Sequence, residues 1–182
     1  DQPEMRRLPF AVLAGDSDVQ FGATGRRSLR RWLELGGTLW VDNAGSRDVS
    51  QRFDGAIRRE LSDVFPDLQL ERISPEHVIY RSFYRLDYAA GRVIRRPYME
   101  GLKVDGRYAV IITHNDVMGA YLTEPGGRFQ LTPKPGGENQ REVAIRLGVN
   151  ILMYALCLNY KDDQVHVDYL LRRRKWKIRG SE

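Results

Sequence analysis

The stretch YAVIITHND (residues 108–116) decides the fold class of this chain. It begins with a largely apolar run of strand length and ends in a cluster of three polar residues. Continuous apolar runs of this kind are typical of strands that are buried on both faces of a parallel sheet. Two further stretches have the same form, FAVLA (10–14) before Gly15-Asp16-Ser17 and TLWV (38–41) before Asp42-Asn43.

Helical patterns separate these strands. We expect Thr24 to cap a helix that buries Leu29, Trp32 and Leu33 and ends at Gly36-Gly37. Residues 49–64 repeat apolar side chains at spacings of three and four, which predicts a second helix. Residues 138–158 predict a long, mostly apolar helix that lies deep in the fold.

The remaining segments are less regular. Residues 68–97 predict an irregular excursion with short strands, residues 125–137 a loop rich in Pro and Gly, and residues 165–171 a final strand. Strands that alternate with helices predict an α/β fold of three layers with a mainly parallel central sheet. We expect one domain over residues 1–171 and a basic tail over residues 172–182.

The net charge of +5 over 182 residues comes from the end of the chain. Residues 170–182 hold six basic residues and one acid, so the rest of the chain is neutral. A nucleic-acid-binding domain carries a basic face on its folded part, so we expect no specific nucleic-acid partner. The tail is either a solvated segment or a contact for an anionic membrane surface.

The polar clusters after the strands form the candidate binding site. In parallel sheets ligands bind at the carboxyl ends of the strands. Two interpretations remain open, a polar binding pocket and local capping of loops and helices, because Asp and Asn side chains bond readily to nearby backbone. The predicted ligand-binding residues are Asp16, Asp42, Asn43, His114, Asn115 and Asp116.

We expect no cofactor and no metal ion. His77, His114, Asp116 and His166 are residue types that bind zinc or manganese, but no pair has helix-face spacing such as His-Glu-x-x-His. For His77 and His166 we expect ordinary structural hydrogen bonds.

Several longer strings resemble the bacterial domain of unknown function 4159. The resemblance covers roughly residues 8–174, and the order and spacing of the strings carry it. The strings are LRRWLELGGTLWVDN (29–43), FDGAIRRELSDVFPD (53–67), HVIYRSFY (77–84), GLKVDGRYAVIITHND (101–116), REVAIRLGVNILMYAL (141–156) and LCLNYKDDQVHVDYLLRRR (156–174).

This resemblance implies a class I glutamine amidotransferase-like, flavodoxin-like fold in a bacterial envelope setting, either periplasmic or membrane-associated. It implies no established activity. Amidotransferases need a nucleophilic cysteine at a sharp turn, whereas Cys157 lies within an apolar helix, where we expect a buried and inert thiol. Relatives carry a further segment before the first strand and end that strand in Gly-His-Gly, where this chain has Gly15-Asp16-Ser17.

Four short motifs are similar to the blocks of SGNH (GDSL-type) esterases. In that mechanism Ser17 attacks an ester, His166 takes its proton, Asp163 orients the imidazole, and Asn115 helps to stabilise the oxyanion. Thr113 stands where these enzymes have a glycine. The motifs are Gly15-Asp16-Ser17, Asn43-Ala44-Gly45, Asn115-Asp116 and Asp163-Gln164-Val165-His166.

The leading hypothesis is a non-catalytic amidotransferase-like domain. It binds a partner protein or a small polar ligand at the carboxyl ends of its strands. The alternative is the serine esterase that uses Ser17, Asp163 and His166.

Overall fold

A computed structural model describes residues 8–45 and 47–173, without the side chains of residues 47–49 and 158–173. In this part of the chain one sheet is formed by β1 (Phe10–Gly15), β2 (Thr38–Asn43), β3 (Glu71–Arg72), β4 (Glu100–Val104) and β5 (Arg107–Thr113). The helices are α1 (Gly22–Glu34), α2 (Arg47–Val64), α3 (Val117–Tyr121) and α4 (Gly137–Arg173), with a 3-10 turn at Val78–Arg81.

The sheet is mixed, with the strand order β1-β2-β5-β4-β3. β1, β2 and β5 are parallel, and both β4 and β3 run antiparallel to their neighbours. The α/β fold is confirmed, while the sheet is parallel in only three of its five strands. The antiparallel half begins at the two-residue turn Asp105-Gly106, whose φ angles of 50° and 79° suit the tight turn of a hairpin.

The alternation of side chains along the strands builds two cores. Leu39 and Val41 of β2 pack under α1 and α2, whereas Trp40 between them packs under α3 and α4. In β5, Ile112 belongs to the first core and Ile111 to the second. Successive strand residues point to opposite faces, so helices cover both faces and the fold has three layers.

Two sequence predictions about helix ends were wrong. α1 begins at Gly22, and Thr24 lies inside it, where its Oγ1 accepts a bond from Arg27. The predicted strand at 165–171 is part of α4, which continues to Arg173. No Gly or Pro interrupts residues 149–173, so nothing in the sequence ends the helix before that segment.

α4 lies deep along only one face. Leu147 and Ile151 are fully buried, whereas Leu152 and Leu156 are more than 40% exposed. Cys157 is also exposed, which corrects the expectation of a buried thiol. No helix in the described part of the chain combines the length and apolar character that a bilayer crossing needs. Most of the basic tail, residues 174–182, lies outside the described residues.

A segment of the excursion, residues 89–96, crosses the carboxyl end of β5, and we name it the crossing segment. Its backbone pairs with the residues that follow β5. Arg92 N donates to Asp116 O at 2.9 Å, and Val93 N donates to Asn115 O at 3.1 Å. The two backbones approach so closely at Gly91 that no side chain fits between them.

We expect Gly91→Ala to destabilise the protein by about 2 kcal/mol or more, because the new Cβ would overlap the Asn115 carbonyl group. Gly126→Ala is the matched control, since a Cβ there meets open space. Urea unfolding of both variants measures the difference in the free energy of unfolding. Equal stability of the two variants would contradict the close approach at Gly91.

Candidate functional site

The carboxyl ends of β1, β2 and β5 lie at one edge of the sheet, which we name the carboxyl edge. Gly15 pairs with Asn43, and Asp42 pairs with Thr113. The alternation that builds the two cores also sorts the polar residues here. The side chain of Asn43 lies on the α2 side of β2, whereas that of Asp42 lies on the α3 side.

The side chains on the α3 side are used within the fold. Buried Asp42 accepts bonds from the Thr113 hydroxyl at 2.7 Å and from Met118 N at 2.8 Å. Burial raises the pKa of Asp42, and these hydrogen bonds oppose that shift. Asp116 has a φ of 54°, caps α3 by accepting from Gly119 N at 3.0 Å, and pairs with Arg92.

Asn115 is buried and forms four hydrogen bonds to the crossing segment. Its Oδ1 accepts from Arg95 N at 2.8 Å and Arg96 N at 3.0 Å. Its Nδ2 donates to Ala89 O at 3.0 Å and Arg96 O at 2.7 Å. An asparagine side chain has two donor and two acceptor positions, so none is left for a ligand or an oxyanion. Asn115 instead positions Arg95 and Arg96.

On the α2 side, five charged or titratable side chains form a connected group, which we name the edge cluster. Glu100 Oε2 accepts from His114 Nε2 at 2.6 Å, Arg58 Nη2 at 2.6 Å and Arg96 Nη1 at 3.2 Å. Asp54 Oδ2 accepts from Arg58 Nε at 3.2 Å and Arg96 Nη2 at 3.4 Å. Two guanidinium groups therefore balance the two carboxylates.

The contact with Glu100 places a proton on one ring nitrogen of His114. Burial opposes ionisation of Glu100, but bonds from His114 and Arg58 outweigh it and lower the pKa of Glu100 from 4.5 to about 2. An ionised carboxylate only accepts, so Nε2 of His114 carries a proton. Nδ1 of His114 lies 3.8 Å from Asp54 Oδ1. That distance is too long for a hydrogen bond.

A small cavity of about 40 Å³ opens beside this group. Two buried atoms near it, Asp54 Oδ1 and Arg95 Nη1, have no hydrogen-bond partner among the described residues. Buried polar groups almost always have partners, so unpaired ones call for an explanation. The cavity is lined by Asn43, Ser50, Gln51, Asp54, Arg95, Arg96 and His114.

The structure brings together only part of the predicted binding set. Asn43 and His114 line the cavity. The side chains of Asp42, Asn115 and Asp116 instead form hydrogen bonds within the fold. Asp16 and Ser17 are exposed and lie at a separate depression of about 380 Å³, beside Arg52 and Arg59.

The alternative esterase site stays a prediction. The side chains of Asp163 and His166 lie outside the part of the chain whose side chains the structure describes. Tyr154, nine residues before Asp163, accepts from Tyr108 N near the start of β5. At that point α4 has reached the edge opposite the one on which Ser17 lies.

The edge cluster also has the residue types of a metal site. Ligand atoms of Asp54, Glu100 and His114 lie within 4.8 Å of one another. However, Arg58 and Arg96 already contact both carboxylates. These guanidinium groups would repel a dication, and the carboxylates that they already balance offer no surplus negative charge to hold one. This charge balance favours an anion over a metal cation.

Sequence reasoning missed five residues of this site. Two available signals could have found some of them. The Asp105-Gly106 turn predicts a hairpin that returns Glu100 to the carboxyl edge, and Asp54 and Arg58 share one face of α2 at a spacing of four. The missed residues are Asp54, Arg58, Arg95, Arg96 and Glu100.

The fold and site define an α/β domain with a cavity at the carboxyl ends of its parallel strands. Charged side chains line this cavity, and two of their buried atoms lack hydrogen-bond partners among the described residues. The family described as Domain of unknown function (DUF4159) matches residues 1–156, and the chain belongs to this family. No curated protein matches the chain. The predicted family is therefore confirmed, while the match ends at residue 156 and does not extend over the predicted string at 156–174.

We expect Glu100→Gln to lower the free energy of unfolding at pH 7 by about 1–3 kcal/mol, because charge-assisted bonds from Arg58 and His114 are lost. A lowered pKa stabilises the fold above the unfolded value near 4.5, and this stabilisation is lost as the pH falls towards 2. The wild type should therefore lose more stability than the variant over that range.

Urea unfolding between pH 2.5 and 7 measures this difference. Glu124→Gln is the control, since Glu124 is 45% exposed and pairs only at the surface with Arg128. Parallel pH profiles for wild type and Glu100→Gln would contradict the assigned role of the Glu100 carboxylate.

Proposed function

We propose that this chain is a non-catalytic, amidotransferase-like binding domain that holds a small anionic ligand in the cavity at its carboxyl edge. The observation that carries the proposal is the unpaired Nη1 of Arg95. A ligand oxygen with negative charge would give this buried donor the partner that it lacks, and a partner of that kind is the strongest for a guanidinium.

The environment of Arg95 supports an anion. Burial lowers the pKa of Arg95, and no carboxylate among the described residues bonds to its guanidinium. Its side chain makes one long contact, from Nη2 to Asn43 O at 3.5 Å. The backbone of Arg95 is held by Asn115, so the guanidinium is presented without the need to order a loop.

The finer fold assignment belongs to the same proposal. Three parallel strands between helical layers, with a polar cavity at their carboxyl ends, suit a flavodoxin-like or amidotransferase-like domain. Exposed Cys157 follows Tyr154 by three residues, near the edge opposite the cavity, so its thiol does not support amidotransferase chemistry. The bacterial envelope setting, a protein partner and a membrane contact through residues 172–182 stay predictions.

We expect propionate to bind the wild-type protein weakly but saturably and to shift the amide resonances of Asn43, Gln51 and Arg95. Arg95→Gln should weaken this binding at least tenfold, because the guanidinium group whose unpaired Nη1 would bond to the carboxylate is removed. NMR titration with sodium propionate, at constant ionic strength, measures both dissociation constants.

Arg128→Gln is the matched control, since the Arg128 side chain is 81% exposed and does not line the cavity. It should bind propionate as the wild type does. Saturable shifts confined to Ser17 and Arg52 would place the ligand in the other depression and overturn the assignment to Arg95. Shifts that grow linearly with propionate in the wild type would overturn the binding function itself.

A further inference from the structure

Besides Nη1 of Arg95, a second buried polar atom near the cavity lacks a hydrogen-bond partner among the described residues. Asp54 Oδ1 is a buried acceptor without a donor, and His114 Nδ1 lies 3.8 Å away, too far to supply one. A donor from outside would therefore satisfy Asp54 Oδ1. An anionic group alone would meet Arg95 and leave Asp54 Oδ1 unsatisfied.

The charge of the site decides which kind of donor fits. Among Arg95 and the described side chains of the edge cluster, three guanidinium groups and two carboxylates leave one net positive charge, counted without His114. Buried Asp42 also acts on Arg95 from the α3 side. The neighbouring pair of Arg92 and Asp116 is balanced. The groups in this count are Arg58, Arg95, Arg96, Asp54 and Glu100.

A ligand with one negative charge would offset this net charge. An ammonium donor would add a positive charge beside the guanidinium groups and restore the imbalance, whereas a hydroxyl donor adds none. A phosphate carries more than one negative charge at neutral pH, so it would bring more negative charge than the net positive charge of the site. The cavity of about 40 Å³ admits only a small head group.

We propose, as an extension of the anion-binding function above, that the ligand is a hydroxylated monocarboxylate. Its carboxylate bonds to Arg95 Nη1, and its hydroxyl group donates to Asp54 Oδ1. The edge cluster supports this arrangement from behind, because Arg58 and Arg96 hold the other oxygen of Asp54 and thereby fix the direction of Oδ1.

Three probes of nearly equal size separate the contributions, namely propionate, lactate and alanine. They present a carboxylate alone, a carboxylate with a hydroxyl group, and a carboxylate with an ammonium group. NMR titration of the wild-type protein should show lactate binding about tenfold more tightly than propionate, since the added hydrogen bond goes to a buried charged acceptor. Alanine should bind more weakly than propionate.

Asp54→Asn tests the residue. We expect this variant to lose most of the preference for lactate while it still binds propionate, and retained propionate binding shows that the variant is folded. Asp63→Asn is the control, because Asp63 lies on the same helix with its side chain 52% exposed. It should keep the preference of the wild type.

The outcomes separate this inference from the binding function. Equal affinities for lactate and propionate would overturn the hydroxyl assignment and leave anion binding intact. Tightest binding of alanine would overturn it in favour of a zwitterion. If neither carboxylate binds saturably, the anion-binding function fails, and this inference fails with it.

Discussion

The four hydrogen bonds of the Asn115 side chain are the interaction on which the site depends. The crossing segment has little regular structure of its own, so its backbone groups need partners from elsewhere. Asn115 meets this need from the end of a buried central strand, where burial and sheet pairing keep it rigid. The arginines that follow are therefore held against the sheet edge, although they belong to an irregular segment.

In the edge cluster, guanidinium groups and carboxylates compensate one another, so the fold holds several charged side chains close together. Each carboxylate meets two guanidinium groups, so the cost of partial burial is offset within the cluster. Arg95 lies next to this balanced group and has no such partner. In the proposed function, anion binding rests on Arg95, which this network of described residues leaves out.

The central strands and the helices that cover them were predictable, because continuous apolar runs and three-to-four spacing leave few alternatives. The alternation of side-chain direction along TLWVDN (38–43) also predicts that Asp42 and Asn43 differ in role, since neighbouring strand residues face opposite layers. The contributions of Arg95 and Arg96 were not predictable. They depend on long-range bonds to Asn115 that no local pattern in residues 68–97 records.

The hairpin between β4 and β5 limits where this chain can accept an inserted or deleted residue. The turn at Asp105-Gly106 lies about 17 Å from Glu100, at the far end of a five-residue strand. Turn length fixes hairpin register, and a slip of one residue exchanges the two faces of a strand. One inserted residue there would carry the Glu100 carboxylate through the sheet to the α4 side, whereas insertions near Gly126 would alter only a surface loop.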